Sequence, residues 1–93
     1  MIIEQSNESK KGYFKAVINE VEAGKMTYTW TGTDTFTIDH TEVNPDFAGQ
    51  SVGKKLVLAA VQFARENNFK IVPLCPFAKS VFDKTKEIQD LLF

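Results

Sequence analysis

Two periods of apolar residues divide this chain, and the change from one to the other limits the folds open to it. Residues 13–21 put Phe14, Ala16 and Ile18 on one face. Residues 26–31 set Met26, Tyr28 and Trp30 against Thr27, Thr29 and Thr31. Residues 35–43 set Phe36, Ile38 and His40 against Thr35, Thr37, Asp39 and Thr41. Period-two alternation of β-branched and aromatic side chains predicts half-buried strands. The turn-rich stretches at 22–25 and 32–34 predict antiparallel hairpins between them. Residues 2–5 add an edge strand.

From residue 52 to 67 the period lengthens. Val52, Leu56, Ala60 and Phe63 trace one helical face, which Val57, Val61 and Ala64 widen. Asn67-Asn68 is a helix stop, and residues 69–74 read as a short buried strand. A strand, a long helix and a second strand in this order predict a crossover to a parallel partner. A second helix is expected near Cys75-Pro76, because proline suits a helix's first turn. The tail, residues 86–93, adds a helical turn or two. The expected fold is α+β: a mostly antiparallel sheet with one parallel crossover pair, a long helix and a shorter C-terminal one. At 93 residues the chain fits a single domain, 1–93.

Composition narrows the function. Eleven basic side chains face 12 acidic ones, a net charge of −1, which argues against a nucleic-acid binder built on broad phosphate neutralisation. No apolar run is long enough to span a membrane, and residues 1–11 lack a signal-peptide pattern. The single Cys makes neither an internal disulfide nor a Cys-based zinc site. No metal site and a reducing, cytoplasmic setting are expected. Eight Phe supply much of the core.

The stretch from Asn44 to Leu56 carries the most chemistry. Asn44-Pro45-Asp46 ends a strand, since proline restricts its predecessor and lacks an N–H. Ser51 is a good N-cap for the long helix. Gly53 then falls in the first turn, where it disfavours the helix by about 1 kcal/mol relative to Ala. Close approach of a ligand to the backbone is one compensation; relief of crowding at a plain strand-to-helix turn is the other. The unpaired N–H groups and the dipole of a helix N-terminus suit an anionic phosphate.

Gln50-Ser51-Val52-Gly53 resembles the start of the pyrophosphate-binding motif of the GNAT N-acetyltransferases, Gln/Arg-x-x-Gly-x-Gly/Ala. Three positions depart from it. Lys55 replaces the last Gly or Ala, Ser51 the frequent middle Gly, and Ala48 an Arg often found ahead of the loop. The resemblance implies that Gly49, Gln50, Ser51, Val52, Gly53, Lys54 and Lys55 hold the pyrophosphate of coenzyme A. It also implies that the strand at Thr41, Glu42 and Val43 bonds the pantetheine arm. Lys54 and Lys55 suit phosphates or a solvated helix face, and Phe77 suits the core or the wall of the CoA groove.

His40-Thr41-Glu42-Val43, the Gly49-Gln50 loop and Val72-Pro73-Leu74-Cys75-Pro76-Phe77 together resemble a subfamily of very small GNAT proteins with a Cys near the acetyl group. The similarity runs over residues 13–82. These members lack a helical segment between the first two strands, and the short 22–25 connection agrees. The resemblance implies acetyl-CoA as cosubstrate and a splay of the parallel pair at Pro73 and Cys75. The implied activity is acetyl transfer to an amine, one on a macromolecule included, through Cys75. A non-catalytic CoA-binding or protein-interaction module is the alternative.

Cys75 reads two ways from the residues: a small buried hydrophobe, or a thiolate whose pKa is lowered at a helix N-terminus. His40, if alternation holds, shares the face of Phe36 and Ile38. It is either a core-edge imidazole or a base for Cys75, 35 positions away. Glu42 is an alternative base or a solvated strand-end carboxylate.

Overall fold

A computed structural model describes residues 1–93. Five strands form one sheet: β1 Ile2–Asn7, β2 Lys11–Ile18, β3 Val21–Trp30, β4 Thr35–Val43 and β5 Lys70–Pro73. They lie in chain order, every pair antiparallel except β4 and β5. A 3-10 turn, Pro45–Phe47, leads to helix α1, Val52–Asn67, which connects β4 to β5. Helix α2, Pro76–Lys84, follows β5, and the tail forms a 3-10 stretch, Lys86–Leu91. This is the α+β architecture expected from the two periods, parallel crossover included.

One sheet face carries Phe14, Ala16, Met26, Tyr28, Phe36 and Ile38, all buried. These join Leu56, Ala60, Ala78, Phe82 and Ile88 in a single core, so both helices gather on that side. The opposite face carries Tyr13, Lys15, Lys25, Thr27 and Thr29, half-buried or exposed. No helix is long and apolar enough to cross a membrane.

The first hairpin turn differs from the expected one. The chain reverses at Asn19 and Glu20, both at positive φ, 50° and 67°. Residues 22–25, expected as the turn, lie inside β3. Gly24 answers a packing demand. A Cβ there would come within 2.7 Å of Val52 Cγ1 and 2.9 Å of the Glu42 carbonyl oxygen. The missing side chain lets the start of α1 sit close on the sheet.

Candidate active site

The parallel pair opens at a defined point. Pairing of β4 with β5 runs from Thr35 opposite Lys70 to Ile38 opposite Pro73. Pro73 has no N–H to extend the ladder. The Ile38 carbonyl instead accepts the N–H groups of both Leu74 and Cys75, each at 3.0 Å. That double bond to one oxygen turns the chain away, and Lys79 N–H then bonds the Cys75 carbonyl at 2.9 Å as α2 begins. Beyond Ile38, β4 runs on through Val43 with β3 on one side and no strand on the other. That edge of β4 is therefore unpaired past Ile38.

Cys75 stands where the two strands part, as the N-cap residue of α2, with extended backbone. Its side chain is buried, 6% exposed. Thr41 Oγ1 lies 3.6 Å from the sulfur. The N–H groups of Phe77 and Ala78 face the sulfur without closing a capping hydrogen bond to it. Burial pushes the thiol up, and the Ala78 N–H, the Thr41 hydroxyl and the Phe77 and Thr41 N–H groups together pull it further down. The net pKa lies below the ordinary thiol value.

His40 is not the neighbour of that sulfur. A bulge in β4 breaks the alternation at Asp39: Tyr28 pairs with Ile38 while Thr27 pairs with His40. One extra residue moves His40 to the face of Thr27, where it is exposed, and brings Thr41 to the core side opposite Met26. His40 therefore does not share the face of Phe36 and Ile38.

Asp39 lies on the open face with Thr37, as the alternation predicts. Its carboxylate accepts hydrogen bonds from Thr29 Oγ1 at 2.5 Å and Thr37 Oγ1 at 2.7 Å. The Thr41–Cys75 contact was not legible from the residues, because no Gly or Pro marks the bulge.

The loop ahead of α1 turns through Gly49, φ +85°, and Ser51, φ 60°, both left-handed. Ser51 does not cap with its side chain, contrary to expectation. Its left-handed backbone carries the chain into the helix, and the hydroxyl is exposed. The first backbone bond of the helix is Lys55 N–H to Ser51 C=O at 3.0 Å, so the N–H groups of Ser51, Val52, Gly53 and Lys54 have no backbone partner. Gln50, Lys54 and Lys55 are exposed around them. This is a set of free donors with two cations beside it, and it fits a pyrophosphate.

Gly53 has an explanation within the chain. A Cβ there would lie 2.7 Å from Cζ of Phe77, so the ring of Phe77 rests on the first turn of α1. Phe77 is 42% exposed and lies between the starts of the two helices. Glu42 and Val43 lie exposed at the end of β4.

A family model described as GCN5-related N-acetyl-transferase matches residues 13–91. A search of curated proteins returns no match. Among solved structures, the solution structure of a GCN5-like protein from Staphylococcus aureus is 38% identical. The match covers 97% of this chain and 87% of that one, with a TM-score of 0.70. A ribosomal-protein-alanine N-acetyltransferase from Brucella melitensis biovar Abortus 2308 shares the fold at 18% identity, TM-score 0.71, over 83% of this chain and 62% of its own. A protein of Bacillus anthracis str. Ames, described as a streptothricin acetyltransferase and solved with acetyl coenzyme A, matches at 22% identity and TM-score 0.61. That match covers 72% of this chain and 39% of its own. The chain thus spans under two thirds of the latter two.

Proposed function

Because the chain belongs to the GCN5-related N-acetyltransferase family, whose cosubstrate is acetyl-CoA, we propose that it is one of the family's small cysteine-bearing members. In this reading it passes the acetyl group to an amine through acetyl-Cys75. The observation that carries the reading is the setting of the Cys75 sulfur. It is buried at the opening of β4 from β5, beside the Thr41 hydroxyl and facing the first turn of α2, with its pKa lowered.

In this reading the loop from Gly49 to Lys55 holds the pyrophosphate through the free N–H groups of Ser51, Val52, Gly53 and Lys54, with Lys54 and Lys55 adding charge. The unpaired edge of β4 at Thr41, Glu42 and Val43 bonds the pantetheine, and Phe77 flanks it. The thioester then reaches Cys75. The thiolate attacks the acetyl carbonyl, the bond from that carbon to the CoA sulfur breaks, and CoA leaves as its thiolate. One thioester replaces another, so the step is close to balanced. An ammonium gives one proton to the His40 imidazole, and the neutral amine so formed next attacks acetyl-Cys75 from the open face. The C–N bond forms, the C–S bond breaks, and Cys75 departs as a thiolate. The second amine proton goes to solvent. Thioester to amide runs downhill.

The test compares Cys75→Ala with the unaltered chain, following CoA release and acetyl-amine formation. Cys75→Ala should keep its affinity for acetyl-CoA, because the pyrophosphate loop is separate, and lose transfer by roughly a hundredfold or more. Undiminished transfer by Cys75→Ala overturns the proposal and moves the chemistry to direct attack on acetyl-CoA.

A further inference from the structure

We infer that the groove on the open sheet face is the acceptor site, and that it selects a primary amine bearing an anionic group, the amino-acid class, over polycationic amines. The inference rests on the proposed acetyl transfer and names the substrate class of that same site.

The groove encloses about 730 Å³, within the size range of small-molecule sites. Thr27 and Thr29 lie at its floor, and Asp39 and His40 come from the bulge of β4. Leu74, 62% exposed, also lines it. On β4 and just past the end of β5 the groove is one residue away in sequence: His40 precedes Thr41, which touches the sulfur, and Leu74 precedes Cys75. The groove and Cys75 therefore meet at the opened end of the β4–β5 pair from opposite faces.

Two fixed charges of opposite sign face this space. Asp39 is held by the Thr29 and Thr37 hydroxyls. Lys25 Nζ is held 4.3 Å from the centroid of the Tyr13 ring. The protein's three ion pairs, Lys15–Glu4, Arg65–Asp90 and Lys79–Asp83, involve neither of them. Glu8 and Lys11 add one further charge of each sign at the rim. A polyamine entering here pairs with Asp39 and, at the rim, Glu8, and meets Lys25 and Lys11 with like charge. A dianion meets the reverse. A molecule with an ammonium at one end and a carboxylate at the other satisfies both fixed groups and leaves neither unpaired. Orientation follows as well. Asp39 is on β4, the strand that borders the opening, whereas Lys25 is on β3, one strand away, so the ammonium end is the one presented for acetylation.

The experiment first loads the full chain with acetyl-CoA alone and records acetyl-Cys75. It then compares kcat/KM for lysine against cadaverine, ornithine against putrescine, and β-alanine against ethylamine. The carboxylate-bearing member should be preferred roughly tenfold in each pair, the worth of one charge-assisted hydrogen bond. Lys25→Met should load normally and shrink the preference to about threefold or less. Lys25→Glu, also loading normally, should turn it toward the diamines. Loading followed by equal or better use of the diamines overturns the inference and leaves the acetyl-cysteine route standing. So does a preference that survives both Lys25 variants, or discharge by none of the six amines. Failure to load overturns both.

Discussion

Thr41, a residue with no chemical signature of its own in the sequence, does more for Cys75 than the only histidine does. Its hydroxyl lies 3.6 Å from the sulfur, while His40 faces the other side of the sheet. Hydrogen bonds to the charged form of a thiol lower its pKa. Thr41→Val removes one such donor and keeps the β-branched shape, so the thiol pKa should rise. At neutral pH alkylation of Cys75 should slow by roughly three- to tenfold, the scale of one weak bond to a charged group. A pH series of iodoacetamide rates measures both. His40→Ala should leave that titration in place and slow only discharge to the amine, which separates the two roles. Cys75 itself was legible because Pro76 follows it and marks a helix start. Its partner was not, because one bulged residue at Asp39 reverses which side chains face the core.

Elements built from clear periodicity kept their place, and those defined by turns or close contacts did not. Helix α1 spans Val52–Asn67 as its apolar stripe implies. The hairpin turn moved to Asn19 and Glu20, since left-handed backbone at two non-glycine residues leaves little trace in sequence. Gly24 looked like a turn glycine, and Gly53 like one that either admits a ligand or relieves crowding. Both are contact glycines, one under Val52 and one under Phe77. They should respond differently to substitution. Gly24→Ala presses on backbone and should cost about 1–3 kcal/mol in denaturant unfolding. Gly53→Ala presses on an exposed, movable ring and should cost about 1 kcal/mol or less. At the same helix start, Lys54→Met and Lys55→Met should weaken CoA binding and flatten its salt dependence, read by calorimetry at two ionic strengths.

At the scale of the whole molecule, the rigid part and the working part sit toward opposite ends of the sheet. Phe14, Tyr28, Trp30, Phe36, Phe63 and Phe69 stack with ring centroids 4.9–6.4 Å apart, gathered toward the C-terminal end of α1. The tail closes this end, with Phe93 N–H bonded to the Ile71 carbonyl at 3.0 Å. The parting of β4 and β5 lies at the other end of α1, where both helices start. Phe36→Leu should therefore lower stability by about 1–2 kcal/mol and leave CoA affinity unchanged. The account as a whole turns on Cys75 as the carrier of the acetyl group, and intact-protein mass spectrometry tests that directly. After brief incubation with acetyl-CoA, the unaltered chain should be heavier by one acetyl group. Hydroxylamine should remove it, an acceptor amine should discharge it, and Cys75→Ala should not form it. A chain that transfers acetyl to amines while never showing the adduct under rapid quench would contradict the account.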